Sequence, residues 1–343
     1  MSHLVGSAET MIHLALVGCG RWGRNIARSL EGVRGGRLVA CCDSVIDRAR
    51  AIAEARKISW TPHFEEIVED PTIDAVVIAT PPAVHPLQAR AALLSEKHVL
   101  VEKPFALSTW EACRLHRLAS SAGRIVMAGH LLRYHPAVGV LHDLLAAGEI
   151  GRIERIVSQR HGPPKSEHGI GVWWTLAPHD LSLLLSLFPA LPEIVGGHAR
   201  WGGIPLAGPH HLCACLRFPE GIEATVDVSW LSPRKRRAVR IIGTGGTIEF
   251  DDGSDRLSVT GGRRAPWIVE FPQAQPLRRE LQHFIDAIVE GIPPRSDGRE
   301  AVRVTRLLEG VARLTGALGP EERQGRREWV RSAESSGFAA GGR

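Results

Sequence analysis

The segment Gly18-Cys19-Gly20-Arg21-Trp22-Gly23 constrains this chain more than any other. It follows an apolar run over residues 12–17 and precedes a helical pattern over 22–30. G-x-G-x-x-G alone is a common glycine-rich turn, but between a strand and a helix it marks the opening of a βαβ unit. The first glycine permits the tight turn, the second lets the backbone approach a pyrophosphate, and the third lets the helix pack on its strand. The N-terminus of that helix offers amide hydrogens and a partial positive charge to an anion. Gly18, Gly20, Arg21, Trp22 and Gly23 are therefore candidate dinucleotide contacts, with a purely structural turn as the plain alternative.

The same alternation continues. Apolar runs at 38–42, 74–79, 99–101 and 124–128 alternate with helical patterns at 46–56 and 85–95 and with a helix opened by Ser108 and Glu111. Those two residues fit a capping box. The run at 74–79 is almost wholly apolar, as a strand buried on both faces of a parallel sheet must be. This order predicts a doubly wound, Rossmann-type parallel sheet over residues 11–130. Beyond a helix at 136–147 the pattern changes. Strand-like runs at 153–160, 194–201, 212–218, 222–230 and 238–242 are punctuated by Gly and Pro, with an apolar helix at 179–188 and two closing helices at 277–290 and 298–315. That predicts a mostly antiparallel α+β domain over 131–318. A loose leader over the first ten residues and a flexible tail at 319–343 complete the expected organisation.

Asp43 ends the second run, about 20 residues beyond the last glycine. A carboxylate there accepts hydrogen bonds from an adenosine ribose and repels a 2′-phosphate, which favours NAD. A surface strand end is the alternative reading, and Arg48 and Arg50 keep NADP open. Thr80, Pro81 and His85 follow another strand's carboxyl end, where open α/β sheets place their ligands. They are candidate lining of a cofactor cleft, although His85 equally suits a helix start.

Composition narrows the class. Across 343 residues the chain is 44% apolar and 23% charged, an ordinary globular mix long enough to bury a sizeable core. No apolar stretch approaches the roughly 20 residues of a membrane crossing, and no export signal opens the chain, so a cytoplasmic protein is expected. The formal charge of +5 is diffuse, apart from a basic run at 234–237 and the last twenty residues. Nucleic acid is not an expected partner, since no aromatic-interleaved basic stretch or helix-turn-helix accompanies that charge. Six cysteines show no metal or C-x-x-C spacing and read as reduced, mostly buried small hydrophobes; no metal is expected.

Directly after a strand stands Glu102-Lys103-Pro104, preceded by Ala79-Thr80-Pro81-Pro82 and followed by Leu176-Ala177-Pro178-His179-Asp180 and Ser229-Trp230-Leu231-Ser232-Pro233. With the glycine turn, these segments resemble the Gfo/Idh/MocA oxidoreductases over roughly residues 12–316. The resemblance implies a nicotinamide enzyme acting on a sugar, cyclitol or nucleotide-activated sugar. It also implies a large open sheet in the second domain, closing helices that return to the first, and a homodimer or homotetramer built through that sheet. Lys103 is the implied general acid/base, and Glu102 a cofactor contact or a surface group. Burial and a nearby cation would bring a lysine's pKa towards neutrality. His179 is the second candidate, against a structural histidine at a helix start. Four residues earlier the family commonly carries an acid; here stands Thr175. Arg133, Tyr134, Thr175, Asp180 and Arg234 complete the candidate substrate contacts, with packing or a solvated charge run as the alternatives. An imine or enone reductase of secondary metabolism, or a non-catalytic nucleotide sensor, remains as the competing reading.

Overall fold

The computed structural model describes residues 11–164, 170–202, 208–261 and 265–317. The expected leader and tail lie outside these residues. The first layer runs β1 (Ile12–Val17), α1 (Arg21–Leu30), β2 (Gly36–Cys42), α2 (Ile46–Arg56), β3 (Ser59–Thr61), α3 (Phe64–Glu69), β4 (Ala75–Ile78), α4 (His85–Leu94), β5 (His98–Glu102), α5 (Thr109–Ser121) and β6 (Val126–Gly129). Its six strands are parallel, in the order β3-β2-β1-β4-β5-β6. Successive side chains leave opposite faces of a strand. Thus Leu14, Leu16, Ala75 and Val77 feed one apolar cluster, while Ala15, Val17, Val76 and Ile78 feed the other. Burial on both faces is why these strands are apolar throughout.

The chain then forms α6 (Pro136–Ala146), β7 (Ile153–His161), α7 (Val172–Leu187), β8 (Glu193–Arg200), β9 (His211–Arg217), β10 (Glu223–Ser229), β11 (Arg236–Gly243), β12 (Gly246–Asp251), β13 (Arg256–Gly261), β14 (Trp267–Val269), α8 (Pro276–Glu290) and α9 (Gly298–Leu314). Eight strands form a second sheet, β14-β13-β12-β11-β7-β10-β9-β8, antiparallel except between β7 and β10. One face holds the core. Ile156 of β7, Leu212, Ala214 and Leu216 of β9, Val226 of β10 and Ile241 of β11 share a cluster with Trp173, Leu181 and Leu184 of α7 and Leu308 of α9. The other face, carrying Cys213, Thr225, Asp227 and Arg240, is half-buried to exposed.

Three expectations about elements need revision. The sequence pattern starts the apolar helix at 179, after Pro178, but α7 begins at Val172 and runs through that proline. Proline has no N–H for the carbonyl four residues back, so the pattern reads as a stop. Here burial of Trp173, Trp174 and Ala177 holds the turn before it in place. β3, α3 and β12 to β14 have no counterpart among the elements expected from sequence. The cysteines are all free, but only Cys19, Cys41 and Cys42 are buried; Cys113 and Cys213 are half-buried and Cys215 is exposed, because β9 turns Cys213 and Cys215 away from its core face.

The closing helices return to the first sheet. Leu281, Phe284 and Ile285 of α8 share a buried cluster with Leu14, Leu16 and Ile26, and Ala301 of α9 joins the cluster on the opposite face. Among the described residues no helix is long and apolar enough to cross a membrane.

Candidate active site

A cleft of about 1100 Å³ runs from the glycine turn to the second sheet, lined by Gly18, Gly20, Asp43, Lys103, Thr175 and His179 among others. The three glycines differ in what surrounds them. Gly18 has φ +97°, and an added Cβ would stand 2.6 Å from the Ala79 carbonyl. At Gly23 it would fall 1.9 Å from the Gly18 oxygen, so the first turn of the helix sits too close to the glycine turn for any side chain. At Gly20 an added Cβ would meet nothing within 4 Å among the described residues beyond its chain neighbours. That open cradle at the start of α1, with no acidic residue in the first turn, fits a pyrophosphate.

Asp43 lines the cleft with both oxygens engaged: Oδ2 accepts from the Cys19 amide at 2.7 Å and Oδ1 from the Val45 amide at 2.9 Å. Arg21, Trp22, Arg48, Thr80 and Pro81 also line it, as do His63 and Glu65 beyond β3, which sequence reasoning missed. His85 does not. It is buried behind the cleft, its ring nitrogens on the carbonyls of Pro104 (2.9 Å) and Thr80 (2.8 Å), where it ties two cleft loops together.

Glu102 ends β5 and is buried, so the alternative of a surface group falls away. Its carboxylate accepts from the Trp22 indole and from the Lys103 amide at 3.1 Å, and burial pushes its pKa up. Lys103, before a cis peptide bond to Pro104, donates from Nζ to the Thr175 carbonyl at 3.0 Å. The Thr175 hydroxyl turns back to the Gly171 carbonyl. One turn along α7, His179 also lines the cleft, and its Nδ1 is buried with no hydrogen-bond partner among the described residues. Burial first, and then the charges of Lys103 and Arg160, hold its pKa well below the ordinary histidine value. The imidazole is therefore neutral at neutral pH.

The other substrate candidates fall elsewhere. Asp180 is buried on the sheet side of α7, where Arg160 grips it through Nε (2.8 Å) and a terminal nitrogen (3.1 Å) and Ser158 donates at 2.8 Å. Consecutive helical residues point about 100° apart, so His179 and Asp180 cannot share a target. Arg133 lies 3.7 Å from Glu300 rather than in the cleft. Tyr134 is buried with its hydroxyl 2.9 Å from Ser296. Arg234 is exposed outside the cleft, whereas Lys235 and Arg237 line it. Arg160 also lines the cleft. The sequence signal for it was an arginine at an inward position of an alternating strand.

Residues 12–130 match the family model for the oxidoreductase family with an NAD-binding Rossmann fold, and residues 139–249 match the GFO/IDH/MocA C-terminal domain. The chain belongs to the Gfo/Idh/MocA oxidoreductases and is an NAD(P)-dependent enzyme of that family. It is 28% identical over 305 residues to scyllo-inositol 2-dehydrogenase (NAD(+)) of Bacillus subtilis, covering 83% of this chain and 89% of that one. A solved UDP-N-acetylglucosamine 3-dehydrogenase from Acidithiobacillus ferrooxidans superposes with a TM-score of 0.80 at 25% identity, over 89% of this chain and 98% of the other. A 3-ketoreductase from Actinomadura kijaniata, solved with NADP, shares the fold at a TM-score of 0.81 and 21% identity, over 89% and 98% of the two chains.

Proposed function

We propose that the chain moves a hydride between a nicotinamide and a carbinol or ketone carbon of a sugar, cyclitol or activated sugar. The observation that carries this reading is the convergence of Lys103, Thr175 and His179 on the cleft that the glycine turn opens. When bound, the nicotinamide supplies the hydride acceptor or donor. The turn at 18–23 and the α1 N-terminus would hold its pyrophosphate, and Asp43 its adenosine ribose. Lys103 takes the hydroxyl proton in oxidation and returns it in reduction, while the Thr175 carbonyl aims the amine. His179, neutral and lining the cleft, hydrogen-bonds the reacting oxygen.

Asp43 supports NAD over NADP, since its fixed carboxylate opposes a 2′-phosphate. The uncovered polar face of the second sheet supports a homodimer or homotetramer, which sedimentation would reveal, and six free cysteines support a cytoplasmic setting. The test is a panel of sugars, cyclitols and nucleotide sugars with each coenzyme, followed at the reduced-nicotinamide absorbance. Turnover with NAD at least about tenfold more efficient than with NADP is expected. Coenzyme binding without turnover across the panel would instead mark a sensor.

His179→Asn keeps a polar side chain that cannot carry a proton. Its expected effect is a roughly 10²-fold fall in kcat. In the native enzyme His179 adds no inflection to the pH–rate profile near 6.5, because the imidazole gains its proton only well below that value. An unchanged kcat in the variant would remove His179 from contact with the reacting oxygen.

A further inference from the structure

The basic run at 234–237 is divided by the two-residue period of a strand. Arg236 faces away from the cleft, bonding Gln159 at 2.8 Å and lying 3.8 Å from Glu249. Lys235 and Arg237 line the cleft that also holds Lys103 and His179. The carboxylates on this wall are already committed. Asp180 is gripped by Arg160, and Asp252 accepts from Arg160 at 3.0 Å while standing 3.9 Å from Arg237. Lys235 meets no carboxylate among the described residues. Among the described residues three cations on this wall, Arg160, Lys235 and Arg237, therefore meet two carboxylates, and the surplus falls on Lys235 and Arg237. Arg237 also reaches the reacting end electrostatically, being one of the charges that lower the His179 pKa.

We propose that Lys235 and Arg237 form an anion subsite at the substrate end of the cleft, so that the substrate is a sugar-like alcohol bearing a carboxylate or a phosphate. This rests on the oxidoreductase reading. Guanidinium and ammonium groups bind such anions through charge-assisted hydrogen bonds, and an exposed mouth still attracts them from solution. Arg237 supplies the fork and Lys235 a mobile point charge.

The test is calorimetric titration of the full chain, with and without NAD, using D-glucuronate, D-glucose 6-phosphate and D-glucose. At least one charged sugar binds about tenfold or more tightly than glucose, and Lys235→Gln and Arg237→Gln each remove most of that preference. Added salt weakens the charged sugar and spares the neutral one. Tighter glucuronate assigns a carboxylate, and tighter glucose 6-phosphate a phosphate. Equal binding of charged and neutral sugars, binding of none, or variants that keep the preference overturns the subsite. Failure of the chain to bind either NAD or NADP is a separate result that overturns the oxidoreductase reading, and the sugar titrations without coenzyme still judge the subsite.

Discussion

Lys103→Ala lowers kcat about 10³-fold while coenzyme affinity stays within a factor of about two. The asymmetry follows from the geometry. The glycine turn and Asp43 hold the dinucleotide end of the cleft, whereas the Lys103 amine reaches across to the Thr175 carbonyl. Lys103→Arg separates charge from proton transfer. It keeps the positive charge but cannot give up a proton near neutral pH, so it remains as slow as the alanine variant. Steady-state rates and fluorescence titration with reduced coenzyme measure both quantities. Native-like turnover in either variant would exclude Lys103 as the proton-transfer group.

Asp180→Ala destabilises the fold by about 3–5 kcal/mol, read as a lowered denaturant midpoint. The loss comes from leaving the Arg160 guanidinium buried with Asp252 as its remaining carboxylate. Burial works against the charge of Arg160, and Asp180 and Asp252 outweigh it. Arg160→Met with Asp180→Leu restores most of the stability, since an apolar pair of similar volume needs no counterion. An unchanged midpoint in Asp180→Ala would show that the pair does not support the fold, and would return Asp180 to consideration as a substrate contact.

Both kinds of sheet were legible in the residue pattern, and the elements that escaped it share a physical cause. β3 and β14 are three residues each, too short for an alternation to show. β12 and β13 each turn only two apolar residues inward, Ile248 with Phe250 and Leu257 with Val259, too few for a period-two pattern to stand out. α7 ran past Pro178 because packing on both sides outweighed the lost hydrogen bond.

What the sequence by itself determined was local. The glycines at 18, 20 and 23, the apolar parallel strands and the strand ending in Glu102-Lys103-Pro104 all follow from backbone sterics and side-chain period. Only the tertiary structure decided which distant groups meet. It brought Lys103 to Thr175 across 72 residues, turned Asp180 from the cleft to Arg160, and put Lys235 and Arg237 in the cleft while leaving Arg234 outside. The reason is that helix and strand periods set which way each side chain points relative to its neighbours, but the packing of one element on another sets what it points at.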